Sequence, residues 1–200
     1  MAAIIYESGT LGTTGVAHGT TGGTNINPFV YAGVRFELTR PVVTSQVGGH
    51  FVAFTGGTFF GAIVKLDGPN DFPDSGNLST PDVFGATTLT FPALSAETYG
   101  DLTLPLSPGW YALVFGSGLF GTNGWGASVR NAPDIGDPGV IAFQPNSGFD
   151  WSNYSVSDAN GRYVVLGNVV PEPSVIGLTI LGYVAFRLRQ GIGPRKQRSV

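Results

Sequence analysis

The alternation of turn residues with short apolar segments constrains this chain more than any other feature. Clusters of Gly, Pro, Asn, Asp and Ser interrupt residues 4–168 about every ten residues, as they do in all-β domains. No window of ten or more residues before position 174 carries the apolar stripe of an amphipathic helix. Val34, Phe36 and Leu38 alternate with polar residues, which is typical of a half-buried strand. The pattern predicts an all-β fold with antiparallel strands.

Further segments have the length and composition of strands: residues 59–66, 83–91, 102–106, 110–115 and 162–166. Residues 110–115 are apolar at every position, so we expect a central strand covered on both faces. Together these strands predict an antiparallel, jelly-roll-like β-sandwich over residues 1–168.

The composition indicates a folded domain that depends on its core alone. Gly (31) and Pro (14) are abundant and only 12% of the residues are charged, but 42% are hydrophobic and 12% aromatic, enough to offset the entropy of ordering. The absence of cysteine excludes a disulfide scaffold, a cysteine zinc cluster and a thiol nucleophile. We expect no cofactor.

The charges are divided unevenly along the chain. Residues 1–170 hold 12 acidic and five basic residues, a net charge of −7, whereas residues 171–200 hold one acidic and five basic residues, a net charge of +4. Binding to a phosphate backbone needs a clustered basic face. We therefore expect no nucleic-acid partner for the body, and the basic C-terminus requires a separate explanation.

The last 32 residues, 169–200, form a second region with three parts in a fixed order. The tripeptide Pro171-Glu172-Pro173 comes first, followed by an uncharged apolar segment that predicts a helix over 174–188. The basic end, 187–198, contains Arg187, Arg189, Arg195, Lys196 and Arg198. These cations predict a cytoplasmic end with the body outside, by the positive-inside rule. A buried or interfacial helix is the alternative, because the apolar segment is short for a span.

This ordered string resembles the PEP-CTERM sorting signal of exported bacterial proteins. The resemblance implies that Pro171, Glu172 and Pro173 are recognised by exosortase, a membrane-embedded transpeptidase, and that the apolar segment is a transient membrane anchor. Residues 48–51, 60–64, 71–75 and 106–121 are also similar, more loosely, to β-sandwich ectodomains found before such tails. The implied location is the cell envelope, and after sorting the cell surface or extracellular matrix. Residues 1–8 lack the basic start of a secretory signal, so we expect the natural start to lie upstream.

Aromatic residues outside the predicted strands suggest a possible sugar platform. Trp125 lies in a Gly-rich loop, and Trp151 and Tyr154 lie in the segment Asp-Trp-Ser-Asn-Tyr. Exposed rings beside polar groups suit carbohydrate stacking, whereas buried ones would close the ends of the sandwich.

Asp71, Asp74 and Asp82 could supply oxygen ligands to calcium. Their spacing differs from that of an EF-hand, and the same residues are common turn formers, so we expect no metal, with a calcium site as the alternative.

The body shows no signature of a catalytic site. We therefore expect a non-enzymatic protein, and together with the resemblance of the tail this implies a structural or adhesive role in an exopolysaccharide matrix. A carbohydrate-binding module on the same anchor is the alternative, and a surface glycoside hydrolase, which would need two paired carboxylates, is a third possibility.

Overall fold

The computed structural model describes residues 2–9, 24–129, 142–145, 151–154 and 161–171, and these form strands, turns and loops but no helix. The chain divides into two units, Met1–Val170 and Pro171–Val200. The predicted helix at 174–188 and the basic end lie outside the described residues. Within the described ranges, no helix has the length and apolar character needed to cross a membrane.

The described residues of the first unit form thirteen strands. They are β1 Ala3–Glu7, β2 Thr24–Ile26, β3 Ala32–Leu38, β4 Val42–Gly56, β5 Thr58–Leu66, β6 Val83–Thr90, β7 Ala96–Asp101, β8 Pro105–Leu106, β9 Gly109–Gly116, β10 Trp125–Ser128, β11 Ala142–Pro145, β12 Trp151–Tyr154 and β13 Tyr163–Val169.

The strands form two antiparallel sheets. One sheet has seven strands in the order β1-β13-β4-β10-β2, with β7 and β8 also paired to β4. The other has six strands in the order β12-β11-β3-β9-β5-β6. The prediction of an all-β antiparallel fold is confirmed, and the arrangement is β-sandwich-like.

The main core lies between the two sheets and is rich in aromatic rings. Phe115 of β9 lies 4.9 Å from Phe51 of β4 and stacks at 5.5 Å on Tyr163 of β13, measured between ring centroids. Phe59 stacks on Phe91 at 4.1 Å. Because rings from both sheets interdigitate, this cluster fixes how one sheet packs on the other.

A second apolar cluster covers the outer face of the six-stranded sheet. It contains Ala112 and Val114 of β9, whereas Leu113 and Phe115 of the same strand face the main core. Strand β9 therefore contributes to two cores, and its place between β3 and β5 confirms the predicted central strand.

Four connections meet at one end of the sandwich: residues 27–31, 56–57, 91–95 and 117–124. Phe91 N donates to Gly57 O (3.1 Å), and Gly124 N donates to O of Thr58, the first residue of β5 (2.6 Å), so backbone hydrogen bonds hold two of the connections to the β4–β5 turn. We call this the aromatic end.

The opposite end carries the β3–β4 turn, the β5–β6 connection and the end of β13. Val170, the last residue of the first unit, donates its N–H to the carbonyl of Pro41 in that turn (2.9 Å). Arg40, Lys65, Asp67 and Asp101 also lie here. We call this the charged end.

Candidate binding surface

The aromatic end exposes large apolar side chains from every one of its connections or their flanking residues. The exposed fractions are 85% for Phe29, 84% for Leu94, 48% for Trp125, 46% for Phe120 and 45% for Phe54. Several large apolar side chains exposed at one end of a domain often mark an interaction surface.

The four connections contain no charged side chain. Residues 24–34, 51–64, 83–96 and 102–129 contain no Asp, Glu, Lys or Arg, and the four connections fall entirely within these ranges. The connections therefore offer a partner apolar, hydroxyl, amide and backbone groups, but no charged side chain with which to form an ion pair.

The connection 117–124 is held by its own hydrogen bonds. The Thr122 hydroxyl donates to Leu119 O (2.7 Å), and the Ser117 hydroxyl donates to Gly124 O (2.7 Å). Gly118 N also donates to Thr122 O (2.9 Å). Because Ser117 and Thr122 are buried, these bonds are shielded from water and fix the loop on the sheet.

Phe120 has a backbone conformation that side chains rarely adopt. Its φ of 51° lies in the left-handed region, where a bulky residue is strained by about 1–3 kcal/mol. Its ring meets Phe60 edge-on at 5.1 Å, yet the side chain remains 46% exposed. The loop thus holds an aromatic ring at the surface in a strained but ordered position.

Polar groups lie among these rings. Asn123 and Thr55 are exposed, and a Cβ on Gly57 would come within 3.3 Å of the Asn123 side-chain oxygen, which places that amide over the β4–β5 turn. Asn27 accepts hydrogen bonds from the backbone N–H groups of Phe29 (2.8 Å) and Val30 (3.0 Å) and so fixes the turn that carries Phe29. The aromatic end therefore combines ordered rings with free hydrogen-bonding groups.

The structure separates the tryptophans that the sequence placed in one possible sugar platform. Trp125 begins β10 in the seven-stranded sheet, where it pairs with Gly56, whereas Trp151 begins β12 in the six-stranded sheet. The Trp151 indole donates to Ser75 O (3.2 Å) and its ring lies 6.3 Å from that of Tyr31, so it packs beneath the β5–β6 connection. Tyr154 pairs with Ala142 through its backbone, and its side chain lies outside the described residues.

Two of the candidate calcium ligands, Asp71 and Asp82, accept backbone hydrogen bonds within their own loop. Asp71 Oδ2 accepts from Asp67 N (2.8 Å), and Asp82 Oδ2 accepts from Asp74 N (2.9 Å). The neighbouring Asp82 carboxylate, with smaller contributions from desolvation, Asp71 and Asp67, raises the pKa of Asp74. In the described part of the chain, no three His, Cys, Asp or Glu side chains are grouped so that they could hold a metal ion.

Of the sorting motif, the structure describes Pro171, while Glu172, Pro173 and the five cations of the basic end lie outside the described residues.

Sequence reasoning found one member of the aromatic end, Trp125, and missed Phe29, Phe54, Leu94 and Phe120. The available signal was the absence of charge from long stretches around all four connections. Comparison with protein-family models and with curated proteins gives no match to this chain.

Proposed function

We propose that this chain is an exported, non-enzymatic structural or adhesive protein of the bacterial cell surface or extracellular matrix. Its tail is a substrate of an exosortase-type membrane transpeptidase, which recognises Pro171-Glu172-Pro173. The body is a jelly-roll-like sandwich, and a short apolar helix at 174–188 holds it in the membrane until sorting. The order of tripeptide, apolar segment and basic end carries this proposal.

The geometry of the body supports an adhesive role. The chain leaves the first unit at the charged end, where Val170 is bonded to Pro41, and the aromatic end lies at the far end of β4. Fifteen residues of strand span roughly 45 Å at the usual rise per residue. Within the first unit, the exposed rings therefore lie at the end opposite to Val170, which suits a contact made away from the exit of the chain.

A binding role suits the aromatic end better than hydrolysis does. Glycoside hydrolysis needs two carboxylates that flank the scissile bond, and the four connections contain no Asp or Glu. They also contain no His, the most frequent general base.

The sorting proposal is tested by intact mass and cell fractionation of the protein in its host. We expect the wild type to lose mass corresponding to cleavage near residues 171–173 and to reach the surface. A variant in which Pro171, Glu172 and Pro173 are replaced by alanine keeps its tail and stays with the membrane. Ser174→Ala, one residue beyond the motif, is the matched control and behaves as the wild type does. A motif variant that is processed and located normally would contradict the proposal.

A further inference from the structure

We infer that the side-chain amide of Asn77 is the acceptor of an N-linked glycan. Residues 77–79, Asn-Leu-Ser, lie in the β5–β6 connection and have the form Asn-x-Ser, which oligosaccharyltransferases modify on the surface of exported proteins. The inference rests on the proposed export of the chain, because these enzymes act outside the cytoplasm. It adds a covalent modification, at a named atom, to the proposed surface protein.

The backbone of this tripeptide leaves its two polar side chains accessible. Asn77 and Ser79 are exposed, whereas Leu78 between them is 4% exposed and belongs to the second apolar cluster. Leu78 has a φ of 51°, in the left-handed region that bulky residues rarely adopt. The buried leucine thus anchors a tight turn whose flanking asparagine and serine can be reached by an enzyme.

The hydroxyl group that the motif requires already contacts the amide. Ser79 Oγ donates to Asn77 Oδ1 (2.7 Å), so the amide oxygen is occupied and the orientation of the amide is fixed. In the described part of the chain, Asn77 Nδ2 donates to no other group. The nitrogen that would carry the glycan is therefore available.

Hydrogen bonds attach the turn to the rest of the domain. Ser75 Oγ accepts from Ser79 N (3.0 Å), and Ser75 O accepts from Leu78 N (3.3 Å). The same carbonyl accepts from the Trp151 indole of β12 (3.2 Å). The turn is thus held on the sheet while the Asn77 side chain remains at the surface, so a bulky hydrophilic group on Asn77 would displace no core residue.

The second Asn-x-Ser tripeptide of the chain, residues 153–155, has a different setting. Asn153 lies in β12, where its backbone pairs with Phe143 of β11, and its Oδ1 accepts from Arg35 Nη1 (2.9 Å). An acceptor asparagine has to enter the enzyme on an accessible turn, and a paired strand would have to leave its ladder to form one. The structure therefore selects Asn77 over Asn153.

The transfer uses a polyprenyl-pyrophosphate-linked oligosaccharide as the glycosyl donor. Asn77 Nδ2 forms a bond to the anomeric carbon of the first sugar, and the bond between that carbon and the pyrophosphate oxygen breaks. Nδ2 loses one proton and the polyprenyl pyrophosphate leaves, so no oxidant or reductant is needed. The chain supplies only the acceptor, which agrees with a non-enzymatic body.

The test is mass spectrometry of the full chain isolated from the envelope fraction of its host, as intact protein and as proteolytic peptides fragmented by electron transfer. We expect an added oligosaccharide mass on Asn77 and none on Asn153. Asn77→Gln and Ser79→Ala should each abolish this mass, whereas Ser79→Thr, which keeps the hydroxyl, should retain it. Asn70→Gln is the matched control, because Asn70 is exposed in the same connection but Phe72 stands two residues after it, and this variant should be modified as the wild type is.

Two outcomes would overturn the inference: an envelope protein whose Asn77 carries no added mass, or an added mass on this connection that persists in Asn77→Gln. The variant with alanines at 171–173 should still be modified at Asn77, because the transfer does not use that tripeptide. A chain that is glycosylated but keeps its tail would contradict only the sorting proposal. A chain that loses its tail but is unmodified at Asn77 would contradict only this inference.

Discussion

Aromatic rings at the two ends of the sandwich have different surroundings. At the charged end the Lys65 ammonium lies 4.3 Å from the ring centroid of Tyr111, and the Tyr111 hydroxyl donates to Ser107 O (2.8 Å). Tyr111 is fully buried, and its ring also receives the edge of Phe84 at 5.9 Å. At the aromatic end, Phe29 and Phe120 face water and the connections contain no cation.

Exposed rings occur at both ends, since Phe84 near the charged end is 44% exposed, but the most exposed ring, Phe29 at 85%, lies at the aromatic end. At the charged end the Lys65 ammonium lies over the ring of Tyr111, whereas no cation lies in the four connections at the aromatic end. Exposed apolar side chains favour association, so a domain with no use for them would gain solubility from charged residues at both ends. The larger number of exposed rings at the aromatic end is the reason for placing the proposed adhesive contact there.

The largest predicted effect is the difference in stability between variants of a buried ring and of an exposed ring at the aromatic end. Phe115 is fully buried against Phe51 and Tyr163, so Phe115→Ala should destabilise the protein by about 3–5 kcal/mol. Phe29 is 85% exposed, so Phe29→Ala should change stability by less than about 0.5 kcal/mol. Urea unfolding of both variants measures this contrast. Similar losses for the two would mean that the exposed rings serve the core.

The second predicted effect is the pH dependence of stability caused by Tyr163, which is buried in the core. Burial raises the pKa of Tyr163 from 10.0 to about 12, against the lowering effect of its hydrogen bonds. Folding therefore favours the protonated phenol, and this stabilisation is complete below pH 10 and is lost as the pH rises from 10 to 12. The loss is about 2–3 kcal/mol.

Urea unfolding at pH 9 and pH 12 measures this loss, and Tyr163→Phe is the control because it retains the stacking on Phe115. The difference in stability between wild type and Tyr163→Phe should shift by that amount between the two pH values. A difference that does not depend on pH would show that the phenol does not carry the effect.

A smaller effect tests the cation at the charged end. Lys65→Met keeps the apolar stem and removes the ammonium from the ring of Tyr111, so we expect a loss of about 0.5–1 kcal/mol. Thermal unfolding measures it, with Phe84→Ala as a comparison at the same ring. A variant as stable as the wild type would mean that the lysine does not stabilise this end.

The smallest effect concerns the strained loop. Phe120→Gly relieves the left-handed strain but removes the contact with Phe60 and adds the entropy of a glycine, so the net change should stay within about 1 kcal/mol. Thermal unfolding checks this value. A much larger loss would show that Phe120 is an essential part of the packing on Phe60.

The sequence predicts the sheets better than it predicts the surface. Strand β9 could be predicted because residues 110–115 are all apolar, as a strand covered on both faces requires. In the structure its side chains alternate between two cores. Strand β4 is absent from the sequence prediction, and Gly48-Gly49 in its middle is unfavourable for a strand. In the structure, a Cβ at Gly48 would collide with the carbonyl of Thr98 and one at Gly49 with that of Arg162, so close pairing on both edges requires glycine. The segment 102–106 is also shorter in the structure, where only Pro105–Leu106 is a strand, β8.

The aromatic end could be predicted only in part, for a topological reason. Phe29, Phe54, Leu94 and Phe120 are single apolar residues in four separate connections, and nothing local marks them as neighbours. The order of strands in the two sheets brings those connections to one end. Trp125 could be singled out because a tryptophan in a Gly-rich loop is unusual, but its partners depend on long-range pairing.

Retention in the extracellular matrix of the host tests the central claim most directly. The measurement is the fraction of protein that remains in isolated, washed matrix for the wild type, the double variant Trp125→Ala/Phe120→Gly and the control Phe84→Ala. We expect the double variant to be processed at its tail and to reach the surface, but to be washed out, while the control is retained. A double variant that is processed and retained as fully as the wild type would contradict the assignment of adhesion to the aromatic end.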